Sequence, residues 1–197
     1  MCMSNAWFAE QHIPCICITN RHLVSQDVFL QQIERIAKCR PEAIVLREKD
    51  LTAAEYEKLA KSVCQIGAEN HVKIILHYFV SVAQKLGVKS IHVPLYVLEQ
   101  MTEQEKIHFA EIGASTHSVE ELKKAEALGA TYVFAGHVFA TDCKKGVPPR
   151  GVEFLKSMCE HTKLPVYALG GIEKENADIC IQAGAKGVCM MSGSMKL

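Results

Sequence analysis

Short apolar runs alternate with amphipathic stretches along the whole chain. The runs Cys15–Thr19, Ala43–Leu46, Lys73–Leu76, Ser90–Val93, Glu111–Ala114, Thr131–Ala135, Val166–Leu169 and Gly187–Met191 read as strands. They are short, nearly continuously apolar and rich in β-branched residues, as strands covered on both faces are. The stretches between them have helical spacing. Val28–Cys39 places Val28, Ile33, Ile36 and Ala37 on one stripe. Ala53–Ile66 follows Thr52, and Glu55 three residues later completes a capping box. A third helix starts at Ser118, again with a carboxylate, Glu121, three residues on. It runs to Leu128 and stops at Gly129, a residue suited to a helix C-terminus.

Strand–helix alternation of this kind predicts an α/β fold with a parallel sheet and helical crossovers. Eight strands are the number that closes a (β/α)8 TIM barrel, expected here as a single domain over residues 1–197. An open doubly wound sheet is the alternative, but no G-x-G-x-x-G follows an early strand. Little chain follows Met191, so the last barrel helix is expected to be short or missing.

Chemistry in such barrels sits at the C-terminal strand ends. Residues following the candidate strands are Thr19-Asn20-Arg21, Arg47-Glu48-Lys49, His77-Tyr78, Pro94, Ser115-Thr116-His117, the loop Gly136–Lys145, Gly170-Gly171 and Ser192-Gly193. The Gly136–Lys145 loop gathers His137, Thr141, Asp142, Cys143, Lys144 and Lys145. A histidine moves protons near neutral pH, and a lysine holds an anion. Gly170-Gly171 and Ser192-Gly193 follow the seventh and eighth strands, where barrels commonly bind phosphate. Together these loops suggest proton chemistry on a small phosphorylated molecule. A Gly-Gly pair is also an ordinary turn.

Composition narrows the classes. Lys+Arg and Asp+Glu each number 22, so the formal charge is zero, which argues against an electrostatic nucleic-acid binder. No apolar run approaches the roughly 18 residues of a membrane span, and no signal peptide is visible, so a cytoplasmic protein is expected. The nine cysteines show no C-x-x-C pairing, and Cys15, Cys17 and Cys189 lie inside apolar runs. They read as buried small hydrophobes in a reducing compartment.

Four segments carry a resemblance. Leu46-Arg47-Glu48-Lys49-Asp50, Gly113-Ala114-Ser115-Thr116-His117-Ser118, the Gly136–Lys145 loop and Pro165-Val166-Tyr167-Ala168-Leu169-Gly170-Gly171-Ile172 resemble the thiamine phosphate synthase/TenI superfamily, in the same order along nearly the whole chain. The resemblance implies a (β/α)8 barrel. The Gly136–Lys145 loop is similar to the TenI branch, the thiazole tautomerases.

The synthase branch joins a pyrimidine pyrophosphate to a thiazole phosphate and needs magnesium. It carries an Asn-Asp pair after the third strand, where this chain has His77-Tyr78. It carries a Gly-Gln-x-Asp-like segment after the fourth, where this chain has Pro94-Leu95-Tyr96-Val97, and usually a proline where His137 stands. These departures favour the tautomerase, an isomerase that aromatises a dihydrothiazole carboxylate phosphate by proton transfer, with no metal or redox cofactor. On that reading His137 is the acid/base. Arg47, Lys49, Ser115, Lys144, Gly170, Gly171, Ser192 and Gly193 bind the phosphorylated thiazole substrate. Arg47 and Lys49 fall on one side of an extended segment with Glu48 opposite. An ion-pair ring in the barrel mouth is the competing role for that pair. His92, within the fourth strand, reads as a core histidine, and His77 as a candidate pocket wall. The alternatives are thiamine phosphate synthase itself and a non-catalytic regulatory or thiazole phosphate-binding protein. No nucleic-acid or membrane partner is expected, and homo-oligomerisation stays open.

Overall fold

The computed structural model describes residues 6–141 and 146–197. Eight parallel strands, β1 (Cys15–Ile18), β2 (Ala43–Leu46), β3 (Lys73–His77), β4 (Ser90–Pro94), β5 (Glu111–Thr116), β6 (Tyr132–Gly136), β7 (Val166–Leu169) and β8 (Gly187–Met190), close into a barrel in sequence order. Pairing of Ile16 with Cys189 joins the first strand to the last. The expected (β/α)8 barrel is the observed one, with strand boundaries that coincide or differ by at most two residues.

Alternation along each strand builds two cores. Ile16, Ile18, Ala43, Val45, Ile75, Tyr132, Phe134, Tyr167 and Cys189 fill the barrel interior. Their neighbours, among them Cys17, Ile44, Leu46, Leu76, Ile91, Val133 and Val188, pack outward against the helices. Both strand faces are therefore apolar, which is why the strands read as unbroken runs rather than alternating ones.

The crossover helices are capped as their sequences dictate. Helix α1 (Trp7–Glu10) precedes β1, and α2 (Phe29–Lys38) buries Phe29, Ile33, Ile36 and Ala37 on one stripe. In α3 (Ala53–Glu69) the Thr52–Glu55 capping box is complete. Then come α4 (Val80–Lys85), α5 (Leu95–Gln100), α6 (Glu103–Ile107) with its own Thr102–Glu105 box, and α7 (Val119–Ala127). At α7 the Ser118 hydroxyl accepts from Glu121 N, but the Glu121 carboxylate accepts instead from His117 N at 2.7 Å, one residue earlier than a capping box requires. Helices α8 (Gly151–Glu160) and α9 (Ala177–Gln182) complete the set. After β8 the chain makes one 3-10 turn, Ser194–Lys196. Gln32 of α2 ties that turn down, donating to Leu197 O at 2.9 Å.

Polar groups close the N-terminal end of the barrel. Lys73 Nζ lies 2.9 Å from Glu111, Ser90 Oγ donates to Glu111 at 2.8 Å, and Tyr167 donates to Glu42. Among the described residues no helix is long and apolar enough to cross a membrane. Among the described cysteines, Cys15, Cys17, Cys180 and Cys189 are buried.

Candidate active site

Inward-facing alternation continues past the strand ends and decides which rim residues face the mouth. On β2, Val45 points inward, so Arg47 does too, and Glu48 turns outward; Lys49 is exposed in the turn that follows, near enough to His77 for its charge to act there. Glu48 is 2% exposed. It accepts from Thr19 Oγ1 at 2.6 Å, from Arg21 N at 3.0 and 3.1 Å, and from Arg21 Nη1 at 3.3 Å. Arg21 also grips Asp50 through two bonds of 2.7 and 2.6 Å, holding that carboxyl below the usual range. The nearby acids are thus committed to Arg21 and Thr19. Neither Arg47 nor Lys49 has a carboxylate partner among the described residues. The ion-pair ring considered for this pair is not formed by the described residues.

Leu46 pairs with Leu76, which sets Arg47 beside His77 on the next strand. His77 is 6% exposed and follows inward-facing Ile75 by two residues. Burial, then the charges of Arg47 and Lys49, push its pKa down to about 3, so the imidazole is neutral. Its Nδ1 is buried without a partner. Beneath it, the buried Tyr56 of α3 donates to Leu46 O at 2.6 Å and accepts from His77 N at 2.9 Å, fastening the ends of β2 and β3 together. Sequence reading missed Tyr56; it appears there only as one apolar position of an amphipathic helix.

His92 points into the barrel one strand further on. It stacks on Phe134 with ring centroids 3.9 Å apart, and its Nε2 lies 2.9 Å from Ser115 Oγ. It is the core histidine expected, and it positions a hydroxyl that the sequence marked for substrate. Burial keeps it neutral.

His137 follows β6 and is 4% exposed. Its Nε2 lies 3.3 Å from Val147 O, and its Nδ1 is buried and unpaired. The β6 and β7 loops stay in register beyond the strands: Val138 N donates to Leu169 O, and Phe139 N to Gly170 O. This close approach explains the glycines. A Cβ on Gly170 would overlap His137, and one on Gly171 would overlap Ala140 O. Both have positive φ, 102° and 64°. Ser192 and Gly193 are exposed after β8. The rim therefore brings Arg47, Lys49 and His77 together on one side, and His137, Gly170 and Gly171 on another. Lys144, with Asp142, Cys143 and Lys145, lies outside the described residues.

The synthase resemblance implies magnesium, which the donors at the strand ends would have to hold. Hard divalent cations prefer oxygen ligands, carboxylates above all. After β3 stand His77 and Tyr78, and after β4 Pro94, Leu95, Tyr96 and Val97. The Tyr78 and Tyr96 phenols lie close enough that desolvation and then Tyr78 raise the Tyr96 pKa, so phenols stand where the family pattern has acids. Among the described residues no group of three or more His, Cys, Asp or Glu is placed to hold a metal ion. At the ends of β3 and β4 the described residues therefore offer magnesium no carboxylate and do not fit it.

A family model described as thiamine monophosphate synthase matches residues 15–194. The thiamine-phosphate synthase of Lysinibacillus sphaericus is 35% identical, covering 86% of this chain and 82% of its own length. That of Coprothermobacter proteolyticus is 34% identical, covering 93% and 87%. A solved thiamine phosphate pyrophosphorylase from Pyrococcus furiosus superposes with a TM-score of 0.79 at 27% identity, over 94% of this chain and 88% of that one. These likenesses overturn the tautomerase expected from the Gly136–Lys145 loop. That expectation rested on one ten-residue loop and on two missing acids, whereas the synthase likeness extends over nearly the whole chain.

Proposed function

Because the chain belongs to the thiamine monophosphate synthase family, we propose that it is a transferase joining a pyrimidine pyrophosphate to a thiazole phosphate, with thiamine phosphate and free diphosphate as products. The observation that carries this reading is the near full-length likeness to thiamine-phosphate synthases at 34–35% identity. The reaction breaks the carbon–oxygen bond to the diphosphate and forms a carbon–nitrogen bond to the thiazole. The diphosphate leaves with the bonding electron pair, so negative charge builds on its oxygens. Preorganised cations and donors aimed at that charge are the main catalytic resource for such a step.

The rim residues divide accordingly. Arg47 and Lys49, without carboxylate partners among the described residues, take the leaving diphosphate. Gly170, Gly171, Ser192 and Gly193 take the thiazole phosphate, as loops after the seventh and eighth strands commonly do in barrels. Ser115, held by His92, offers a hydrogen bond to a ring held between them. His137 walls the pocket beside Gly170.

The test is formation of thiamine phosphate from the two synthetic halves, followed chromatographically. Product that appears with wild-type protein and drops at least tenfold in Arg47→Ala supports the transferase. Absence of product from folded protein, with and without added magnesium, overturns it.

A further inference from the structure

The mismatch between magnesium and the donors present leaves the diphosphate charge to be met in another way. Three side chains stand where it would be met. Arg47 faces the mouth from the end of β2, His77 faces it from the adjoining end of β3, and Lys49 stands in the turn after β2, its charge acting on His77. No described carboxylate offsets the two cations, since Glu48 is sealed beneath Thr19 and Arg21. Neither ring nitrogen of His77 has a hydrogen-bond partner, and Nδ1 is fully buried. With Nδ1 enclosed, Nε2 is the ring nitrogen left open to a ligand at the mouth. The backbone there is also held in an unusual state: Tyr78, next to His77, has a φ of 72°. Such conformations cluster at ligand clamps.

We propose that Arg47, Lys49 and His77 form a metal-independent diphosphate clamp, in which the neutral His77 imidazole donates an N–H to the anion that a metal ion would otherwise neutralise. The identity of the anion rests on the transferase reading; the clamp itself does not. Two cations and a neutral donor suit a compact polyanion, because a protonated His77 would add a third repelling charge to an empty buried site. Burial and the neighbouring cations keep it from doing so. Tyr56 fixes the His77 backbone, so the ring is aimed before the ligand arrives.

The experiment is calorimetric titration of inorganic diphosphate into the full chain in excess EDTA, repeated with magnesium. Wild-type protein is expected to bind with affinity within about threefold in the two conditions. Each hydrogen bond to a charged group contributes enough that His77→Leu weakens binding by about tenfold or more. His77→Asn, which keeps an N–H donor, recovers most of that loss, and Arg47→Ala abolishes saturable binding. Circular dichroism establishes that each variant is folded. Saturable binding only in the presence of magnesium overturns the clamp. So does equal affinity in wild type and His77→Leu, or equal loss in the leucine and asparagine variants. Diphosphate binding without thiamine phosphate synthesis would sink the transferase and leave the clamp standing.

Discussion

The Tyr56 hydroxyl lies 2.9 Å from the backbone nitrogen of His77 and accepts its proton, while donating its own to Leu46 O at 2.6 Å. One phenol on α3 thus satisfies both the end of β2 and the start of the β3 rim. Tyr56 is fully buried, so no water replaces the hydroxyl when it is removed. Tyr56→Phe is expected to cost about 1–3 kcal/mol in urea unfolding. Diphosphate affinity should fall with it, since the His77 backbone loses its anchor. A variant as stable as wild type would show that the two strand ends are held by other means.

Acid should destabilise the protein before its carboxylates titrate. His77 has its pKa lowered from 6.5 to about 3, chiefly by burial and then by Arg47 and Lys49, and burial lowers His92 as well. Between those pH values the unfolded chain binds protons that the folded protein refuses. Stability therefore rises with pH through this window, is complete above 6.5, and is lost as pH falls below it. Urea unfolding at pH 7.5, 6 and 5 should show a steady decline, and His77→Asn should show a shallower one. Identical slopes in the two proteins would mean that His77 is not buried neutral.

Glu48 is a structural carboxylate rather than a catalytic one. Its side chain is 1% exposed and takes bonds from Thr19, from Arg21 N and from the Arg21 guanidinium. Glu48→Gln places an amide against donors that need an acceptor, at a cost of about 3 kcal/mol. Because Glu48 separates Arg47 from Lys49 in sequence, diphosphate binding should weaken in the same variant. A change of less than about 0.5 kcal/mol in unfolding free energy would place this residue among ordinary surface positions.

Two glycines of similar backbone conformation should respond very differently to alanine. Gly129, at the end of α7, has a φ of 91° and open space where a Cβ would go. Gly129→Ala pays only for the left-handed backbone, about 1–2 kcal/mol. Gly171 has a φ of 64°, but a Cβ there would strike Ala140 O, a backbone atom that moves only with its loop. Gly171→Ala should cost clearly more, and it should disturb the loop carrying His137. Thermal unfolding of the two variants side by side measures the difference; equal losses would contradict the packing account of Gly171.

The local patterns were read correctly because near neighbours dictate them. Strands buried on both faces appear as continuous apolar runs, and Thr52 with Glu55 closes a capping box within one turn. Alternation set Arg47 and Glu48 on opposite sides, and in the closed barrel Glu48 is the one buried, against Thr19 and Arg21. The glycines after β7 stood out as a phosphate loop, yet their immediate cause is contact with the His137–Ala140 segment. The Gly136–Lys145 loop pointed to an isomerase, and whole-chain likeness corrected it, because one loop records a fraction of what a full barrel shares with its relatives.

Periodicity, caps and turn residues were enough to specify eight strands, their crossovers and the rim on which the polar residues gather, since each depends on residues within a few positions of one another. The partners across the barrel were not legible in this way. Glu48 meets Arg21 from 27 positions away, Tyr56 reaches His77 across 21, and His92 finds Ser115 across 23. Gly113 is small because the Tyr132 ring and His92 Nδ1 occupy the space of its missing Cβ. Such pairings follow from strand register and barrel closure. Until the sheet closes, nothing in the chain distinguishes the carboxylate that locks the rim from the cations left to bind an anion.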